Sequence, residues 1–186
     1  MKLSIITISY NAVEEIERTL ASVYSQTFKD FEHIIIDGSS NDGTVDIINQ
    51  YVQKNTIFVS EKDSGIYNAM NKGILLSRGE YLLFLNAGDV LIGENILKEI
   101  SEYLQHYEII VYKCNYMNNL GKIVRVLGKG LKLPYHLEIG SLPHPSTFIK
   151  RSVFEEYGLY DESFVISGDY DFFSRVLYGQ ATTFLM

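Results

Sequence analysis

Hydrophobic residues in the first half of the chain follow two alternating spacings. Nearly continuous apolar runs, typical of parallel strands buried on both faces, occupy residues 3–9, 31–37 and 81–85. Between them, apolar residues recur every three or four positions, as on one face of a helix. This pattern predicts strands over residues 3–9, 31–37, 57–60 and 81–85, and helices over residues 11–23, 44–53, 66–77 and 94–105. Asn11 and Glu14 have the spacing of a capping box, so we expect Asn11 to cap the first helix.

The alternation predicts an α/β fold with a mostly parallel, Rossmann-like sheet flanked by helices. After residue 107 the rhythm changes, and a small mixed β region is expected. Strands over 109–117 and 122–127 flank a hairpin-like turn, and the Pro-containing segment 128–145 is expected to wrap the site as a loop. The remaining predicted elements are a strand over 146–149, helices over 151–157 and 169–178, and a strand-like end at 182–186.

Length and composition predict one soluble domain spanning residues 1–186. The formal net charge of −7, without a block of Lys or Arg, argues against a nucleic-acid partner. No apolar stretch approaches the roughly 20 residues that span a bilayer, and the single cysteine fits a reducing compartment. We therefore expect a cytoplasmic protein without a transmembrane segment; contact with the inner face of the membrane and homo-oligomerisation stay open.

The strand over 81–85 ends abruptly in Asn86-Ala87-Gly88-Asp89. Ligands of open α/β sheets bind beyond the carboxyl ends of the strands, and small residues allow close approach to the backbone. Hard cations such as Mg²⁺ or Mn²⁺ prefer oxygen ligands and bridge substrate phosphates. The run therefore predicts a site for a metal-bound phosphate ligand, with Asp89 as the metal ligand; the alternative is an aspartate of a turn.

Five motifs, in one order, resemble those of family 2 glycosyltransferases, the inverting enzymes of the GT-A fold. The motifs are SIITISYN (4–11), IIIDGSSNDGT (34–44), DSGIYNAMNKGI (63–74), GEYLLFLNAGD (79–89) and HPSTFIKRSVFEEYGLYDESFVISGDYDFFSR (144–175). The resemblance implies transfer of a sugar from a nucleotide-sugar donor of the UDP or GDP type to an acceptor hydroxyl. It also implies a divalent cation, Mn²⁺ or Mg²⁺. Bacterial relatives act in polysaccharide synthesis, so a saccharide or lipid-linked acceptor is expected by analogy.

The resemblance also assigns roles to residues. It implies that 1–107 is the nucleotide-binding half and that 108–186 is the acceptor-side half, which we expect to be truncated at its C-terminus. Asp169 matches the catalytic base, with Asp171 as the runner-up. The expected substrate-binding residues are Ser9, Tyr10, Asn11, Asp37, Asp63, Asn71, Asn86 and His144.

Several of these residues have a simpler structural alternative. Asp37 and Asp63 could cap loops, and Asp169 could cap a helix. His144 could bind metal, diphosphate or acceptor, or it could be a polar residue at the surface without a ligand.

The chain departs from the usual motifs at two places. Met70 precedes Asn71 where many relatives have Arg, so the diphosphate charge must be neutralised elsewhere, by Lys62, Lys72 or the cation. Asn86 and Gly88 replace acidic positions, which predicts weaker metal binding.

Two alternative functions are also compatible with the sequence. A catalytically weak or inactive module that binds nucleotide-sugar is one alternative, and it fits the altered positions. A sugar-phosphate nucleotidyltransferase is the other, although Ser9-Tyr10-Asn11 does not match the Gly- and Arg-rich loop expected there. The sequence contains neither a G-x-G-x-x-G dinucleotide fingerprint after the first strand nor a P-loop.

Overall fold

The computed structural model describes residues 1–118, 122–127, 142–179 and 184–185. In its first half, strands and helices alternate as predicted. These elements are β1 (Leu3–Ser9), α1 (Ile16–Tyr24), β2 (Phe31–Asp37), α2 (Thr44–Tyr51), β3 (Thr56–Ser60), α3 (Ile66–Leu76), β4 (Tyr81–Asn86) and α4 (Ile96–Ser101). The second half adds β5 (Ile109–Val111), β6 (Cys114–Met117), β7 (Ile123–Leu127), a 3₁₀ turn (His144–Ser146), β8 (Thr147–Lys150), α5 (Arg151–Tyr157), α6 (Gly168–Tyr178) and β9 (Phe184–Leu185).

The main sheet has seven strands in the order β3-β2-β1-β4-β8-β5-β9. Strands β3, β2, β1 and β4 run parallel, whereas β8 is antiparallel to both of its neighbours. Strands β6 and β7 form a separate antiparallel hairpin. The prediction of a mostly parallel α/β sheet with a small additional β region is confirmed.

Helices cover both faces of the sheet because successive residues of each buried strand point to opposite sides. On one face, Ile6 and Ile8 of β1 pack with residues of α3, α5 and α6. On the other face, Leu3 and Ile5 pack with α1 and α4. Glycine at position 73 lets α3 pack closely on β1, since a Cβ at this position would collide with the Ile6 side chain.

Three local predictions were wrong. Asn11 does not cap α1, which begins five residues later at Ile16; its φ of 47° places it in a left-handed turn. Helix α4 is shorter than the predicted span of residues 94–105. The predicted strand 109–117 is two strands, because β5 pairs in the main sheet and β6 pairs with β7 instead.

Two predicted segments fall largely outside the described residues. They are residues 128–141 of the expected loop, and most of the strand-like end, of which only Phe184–Leu185 is described. None of the helices in the described part of the chain combines the length and apolar character that crossing a membrane requires.

His33 is fully buried on β2. Its Nε2 lies 2.9 Å from Thr7 Oγ1, and its Nδ1 has no hydrogen-bond partner among the described residues. Burial lowers the pKa of His33 from 6.5 to about 3. The folded state therefore resists protonation that the unfolded chain accepts below about pH 6.5.

We expect His33 to make the protein less stable as the pH falls from about 6.5 towards 3. In that pH range His33 is protonated in the unfolded state and neutral in the folded state. It therefore adds about 1.4 kcal/mol per pH unit to the slope of the free energy of unfolding against pH. Urea unfolding of His33→Gln at several pH values should show a slope reduced by this amount. The matched control is His106→Gln, at an exposed site, which should keep the wild-type slope; an unchanged slope in His33→Gln would contradict the assignment.

A second buried polar group, the hydroxyl of Tyr157, also has no hydrogen-bond partner among the described residues. Because a buried unpaired hydroxyl is destabilising, Tyr157→Phe should raise the free energy of unfolding by about 1 kcal/mol. Tyr81→Phe is the matched comparison, since the Tyr81 hydroxyl donates to Tyr107 O at 2.7 Å and accepts from Gln105 N–H. That variant should lose about 1 kcal/mol in the same denaturant titration; a loss in both variants would contradict this account.

Candidate active site

The register of the parallel strands brings polar residues from four strands to one edge of the sheet. Ser9 is paired with Asp37, Asp37 with Ser60, and the adjacent Ile8 with Asn86. These are the carboxyl ends of β1, β2, β3 and β4, where ligands bind in open α/β sheets. Residues far apart in the sequence therefore meet at the edge that the sequence predicted.

Asp37 is fully buried, and its carboxylate accepts hydrogen bonds from several groups around it. The hydroxyl groups of Ser9, Ser40 and Ser60 donate to it, as does the backbone N–H of Ser40. A buried carboxylate needs such donors to offset its lost hydration. Asp37 therefore fixes the loop after β2, as the capping alternative required, and its contact with a ligand stays a prediction.

Tyr10, Gly38 and Asp63 lie close together, and Gly38 directly follows Asp37 at the end of β2. A Cβ at Gly38 would lie 2.7 Å from Asp63 Oδ2 and 3.1 Å from Tyr10 Cδ2, so glycine is needed for this close approach. Tyr10 is 67% exposed. Asp63 Oδ1 accepts the N–H of Gly65. An exposed aromatic ring and a half-buried carboxylate thus both lie close to Gly38.

Asn11 follows Tyr10 in the chain and is bonded to the loop after β2. Its Oδ1 accepts the N–H of Asn41 at 3.0 Å, and its own N–H donates to Ser40 Oγ at 2.8 Å. These bonds explain the left-handed backbone of Asn11, a conformation that Asn tolerates. Asn11 therefore joins the first strand's loop to the loop after β2.

Asp89 lies three residues after the end of β4. Its Oδ2 accepts the N–H of Asn86 at 3.0 Å. Burial raises the pKa of Asp89 to about 6, although this N–H and the Arg18 guanidinium act in the opposite direction. The charged form of Asp89 is thus poorly compensated by the protein itself.

Asn86 adds a second uncompensated group, since its buried Oδ1 has no hydrogen-bond partner among the described residues. A hard cation prefers carboxylate and amide oxygens of this kind. Within the described part of the chain, no group of three or more His, Cys, Asp or Glu could hold a metal. A cation here would therefore take few protein ligands and rely on a ligand's phosphates.

Arg18 is a positive charge near Asp89 that sequence reasoning missed. Its Nη2 would lie 3.4 Å from a Cβ at Gly88. By contrast, Lys72, which was expected to neutralise phosphate charge, forms an ion pair with Glu61 at 2.7 Å. Arg18 could not be found from sequence because it lies on α1, far from Asp89 along the chain.

A cavity of about 810 Å³ opens beside Asp89 and Arg18. Residues of β6, including Asn115 and Tyr116, line another part of its wall. Burial raises the pKa of Tyr116, and Cys114, Asp89 and Asp169 act in the same direction with smaller effects. Tyr116 is therefore within electrostatic range of both carboxylates, a placement that sequence spacing did not reveal.

Asp169 lies in the first turn of α6. Its Oδ1 accepts a hydrogen bond from the Tyr67 hydroxyl at 3.3 Å. Ser167, which precedes the helix, has a φ of 68° and makes no side-chain cap. The neighbouring Asp171 instead pairs with Arg175 at 2.9 Å. Of these two carboxylates, Asp171 is thus occupied by an ion pair within its own helix.

His144 is packed among aromatic rings on the α6 side of the sheet. Its ring centroid lies 4.9 Å from that of Phe84, and its Nε2 lies 2.7 Å from the Tyr160 hydroxyl. Burial lowers the pKa of His144 to about 4, with Asp169 opposing that effect. The imidazole is therefore neutral at pH 7, and its predicted substrate contact is untested.

Asn71 is buried, and its side chain is used within the fold. It donates to Tyr160 O and Glu162 Oε1, both at 2.9 Å, and accepts the N–H of Tyr160 at 3.1 Å. Asn71 therefore holds the segment that leads to Asp169. Direct ligand contact by Asn71 stays a prediction.

Comparison with known sequences gives a family match over residues 4–158, described as glycosyl transferase family 2. An uncharacterized glycosyltransferase of Mycobacterium tuberculosis is 32% identical over 180 residues, covering 93% of this chain and 68% of the relative. A PGL/p-HBAD biosynthesis glycosyltransferase of Mycobacterium bovis is 29% identical, covering 91% of this chain and 67% of the relative.

Two solved structures have the same fold. Staphylococcus aureus TarS 1–349 in complex with UDP has a TM-score of 0.83 at 22% identity, covering all of this chain and 58% of that one. The mannosyltransferase PcManGT of Pyrobaculum calidifontis, with GDP-Man and Mn²⁺, has a TM-score of 0.76 at 15% identity, covering all of this chain and 54% of that one. The fold is that of the GT-A glycosyltransferases. Since the family match covers most of its 186 residues, the chain belongs to glycosyl transferase family 2.

Proposed function

We propose that this chain transfers a sugar from a nucleotide-sugar donor to an acceptor hydroxyl, with inversion at the anomeric carbon. The observation that carries the proposal is the Asp89 site, where a carboxylate and an amide oxygen are buried at a strand end without full compensation. A cation with a diphosphate would supply the missing charge and contacts. Family membership supports the same reaction class.

The surface site around Tyr10, Gly38 and Asp63 is proposed to hold the nucleoside of the donor. The exposed Tyr10 ring offers a face for stacking a base, and the Asp63 carboxylate can accept from ribose hydroxyls. Ser9, Asn11 and Asp37 are proposed to border this site, since hydrogen bonds link all three to the loop after β2. Structural neighbours with bound UDP, UDP-GlcNAc or GDP-Man support a donor of the UDP or GDP type.

Asp89 and Asn86 are proposed to hold Mn²⁺ or Mg²⁺ together with the donor diphosphate. Bound there, the cation would stabilise the negative charge that develops on the leaving diphosphate. The Mn²⁺ complex of PcManGT supports a cation of this kind. Arg18, which borders the same cavity, is proposed to add a fixed positive charge near the phosphates.

Asp169 is proposed as the general base. It takes the proton of the acceptor hydroxyl while that oxygen forms a bond to the anomeric carbon. The bond from the anomeric carbon to the diphosphate oxygen breaks, and the nucleoside diphosphate leaves with the electron pair. An inverting transfer needs only this one direct carboxylate, because attack and departure occur on opposite faces of the sugar.

The acceptor side is proposed to lie in residues 108–186, next to Asp169 and Tyr116. His144, neutral at pH 7, would shape this side. The M. bovis relative named for PGL/p-HBAD biosynthesis supports an acceptor used in cell-surface glycan or lipid-linked saccharide synthesis. We propose a cytoplasmic location at the inner membrane face for the same reason.

Isothermal titration with UDP and GDP, each with and without Mn²⁺, tests the donor proposal. We expect one of them to bind, and to bind at least tenfold more tightly with Mn²⁺, because the cation links diphosphate to Asp89. Binding that needs no cation and survives Asp89→Ala would contradict the role of Asp89. Release of pyrophosphate from a nucleoside triphosphate and a sugar 1-phosphate would instead indicate a nucleotidyltransferase.

Asp89→Asn should separate stability from function. The folded pKa of about 6 lies above the unfolded value of 3.8, so ionised Asp89 destabilises the ligand-free fold increasingly between these values and fully above pH 6. At pH 7.5 the variant should be more stable by up to about 3 kcal/mol, since each pKa unit is worth about 1.4 kcal/mol. This gain should shrink towards pH 4, and Mn²⁺-dependent nucleotide binding should be lost.

Denaturant unfolding and calorimetry measure the two effects of Asp89→Asn. The control is Asp46→Asn, an exposed position on α2, which should leave nucleotide binding unchanged and stability nearly so. A variant at Asp89 that is less stable at pH 7.5 would contradict the account of its burial.

Asp169→Asn should lower the rate of donor hydrolysis or transfer at least a thousandfold while nucleotide affinity stays within twofold, because only the proton acceptor is removed. Asp171→Asn is the matched control in the same helical turn and should retain activity. Rates are measured with UDP-GlcNAc and GDP-Man in Mn²⁺. Metal-dependent binding without turnover, indifferent to Asp169→Asn, would favour the binding module.

A further inference from the structure

The start of α6 is held by a residue from another helix. The backbone N–H groups of a first helical turn need acceptors from outside the helix, and Ser167 supplies no side-chain cap here. The Tyr67 hydroxyl on α3 accepts the N–H of Gly168 at 2.8 Å. The same hydroxyl donates to Asp169 Oδ1 at 3.3 Å. Tyr67 thus uses both its donor and its acceptor capacity on two successive residues.

The contact between Tyr67 and Gly168 depends on the absence of a side chain. A Cβ at Gly168 would lie 2.8 Å from Cε2 and 2.9 Å from Cζ of the Tyr67 ring. Tyr67 itself is only 7% exposed, so the ring is fixed by packing on the sheet. The hydroxyl is therefore presented from a rigid element to the carboxylate.

The segment before Asp169 is also anchored to α3 at Tyr160 and Glu162. Asn68 and Asn71 donate to Glu162 at 2.8 and 2.9 Å, and Asn71 also bonds the backbone of Tyr160. Between these anchors, residues 161–167 are exposed to solvent. The position of Asp169 therefore depends on α3 more than on the segment that carries it.

We propose that Tyr67 is a positioning residue for Asp169, holding Oδ1 and the start of α6 so that Oδ2 is presented to the acceptor hydroxyl. This inference rests on the proposed role of Asp169 as the base. Among the described residues, Asp169 Oδ2 has no hydrogen-bond partner. A positioned base needs one carboxylate oxygen that is held in place and one that is available to the substrate. The Tyr67 hydroxyl holds Oδ1 and leaves Oδ2 available.

The test is Tyr67→Phe, which removes one oxygen atom and keeps the ring. We expect kcat for donor hydrolysis to fall about 10- to 100-fold, the scale of a small misplacement of a catalytic group. The donor KM and the nucleotide Kd should stay within twofold, because the proposed nucleoside site is not altered. Tyr157→Phe, in which a hydroxyl without a described partner is removed, should keep the wild-type kcat.

A double variant distinguishes positioning from a general loss of structure. Tyr67→Phe combined with Asp169→Asn should be no slower than Asp169→Asn alone, because Tyr67 acts only through that carboxylate. A wild-type kcat in Tyr67→Phe, or equal additional losses in both backgrounds, would overturn the inference. Wild-type activity in Asp169→Asn would instead overturn the proposed base, and the two failures are therefore separable.

Two further measurements cover the remaining cases. A second variant, Gly168→Ala, serves if Tyr67→Phe is too unstable to assay, and amide hydrogen exchange serves if neither donor is hydrolysed. Gly168→Ala keeps the hydroxyl but pushes the start of α6 away from the ring, so it should lower kcat in the same way. Amide hydrogen exchange of Gly168 should accelerate at least tenfold in Tyr67→Phe, while that of Ile74 stays unchanged. An unaltered exchange rate at Gly168 would contradict the hydrogen bond and the inference with it.

Discussion

The common register of the parallel strands is the constraint on which the rest of the structure depends. Pairing of Ser9 with Asp37, and of Asp37 with Ser60, places polar side chains at the edge where continuous apolar strands end. A shift of one residue would turn these side chains to the opposite face of the sheet. Close packing of helices against both faces opposes that shift, so packing of the core fixes the geometry of the site.

Polar residues of the candidate site form hydrogen bonds that hold the fold together. The Asp37 carboxylate takes its donors from the loops that surround it, and Asn71 is used to hold the segment before Asp169. A motif residue can therefore be needed for function without touching a substrate. Contacts within the protein decide which residues remain available, and sequence motifs cannot show those contacts.

The sequence predicted the sheet and its edge well because hydrophobic spacing is a local property. It failed where partners from distant segments decide the outcome. Asn11 was expected to cap α1 but is held by Ser40 and Asn41, and the apolar run 109–117 divides because β8 offers pairing to Ile109–Val111 only. Arg18 near Asp89 could not be predicted from spacing, because long-range packing brings it there.

Asp89 and Asp169 are one residue type in two different surroundings, and the two proposed roles follow from that difference. Asp89 is largely buried, and Asn86 Oδ1 nearby in the chain has no partner among the described residues, which suits the proposed binding of a cation and a diphosphate. Asp169 accepts a hydrogen bond from the Tyr67 hydroxyl at Oδ1, which suits the proposed transfer of a proton to Oδ2. A bound cation and diphosphate would relieve the unfavourable burial of ionised Asp89, and by linkage the proposed cation and donor would each strengthen the binding of the other. At the proposed donor site, the ligands would supply the charge and contacts that Asp89 lacks. The proposed base, by contrast, is held in position by contacts within the protein.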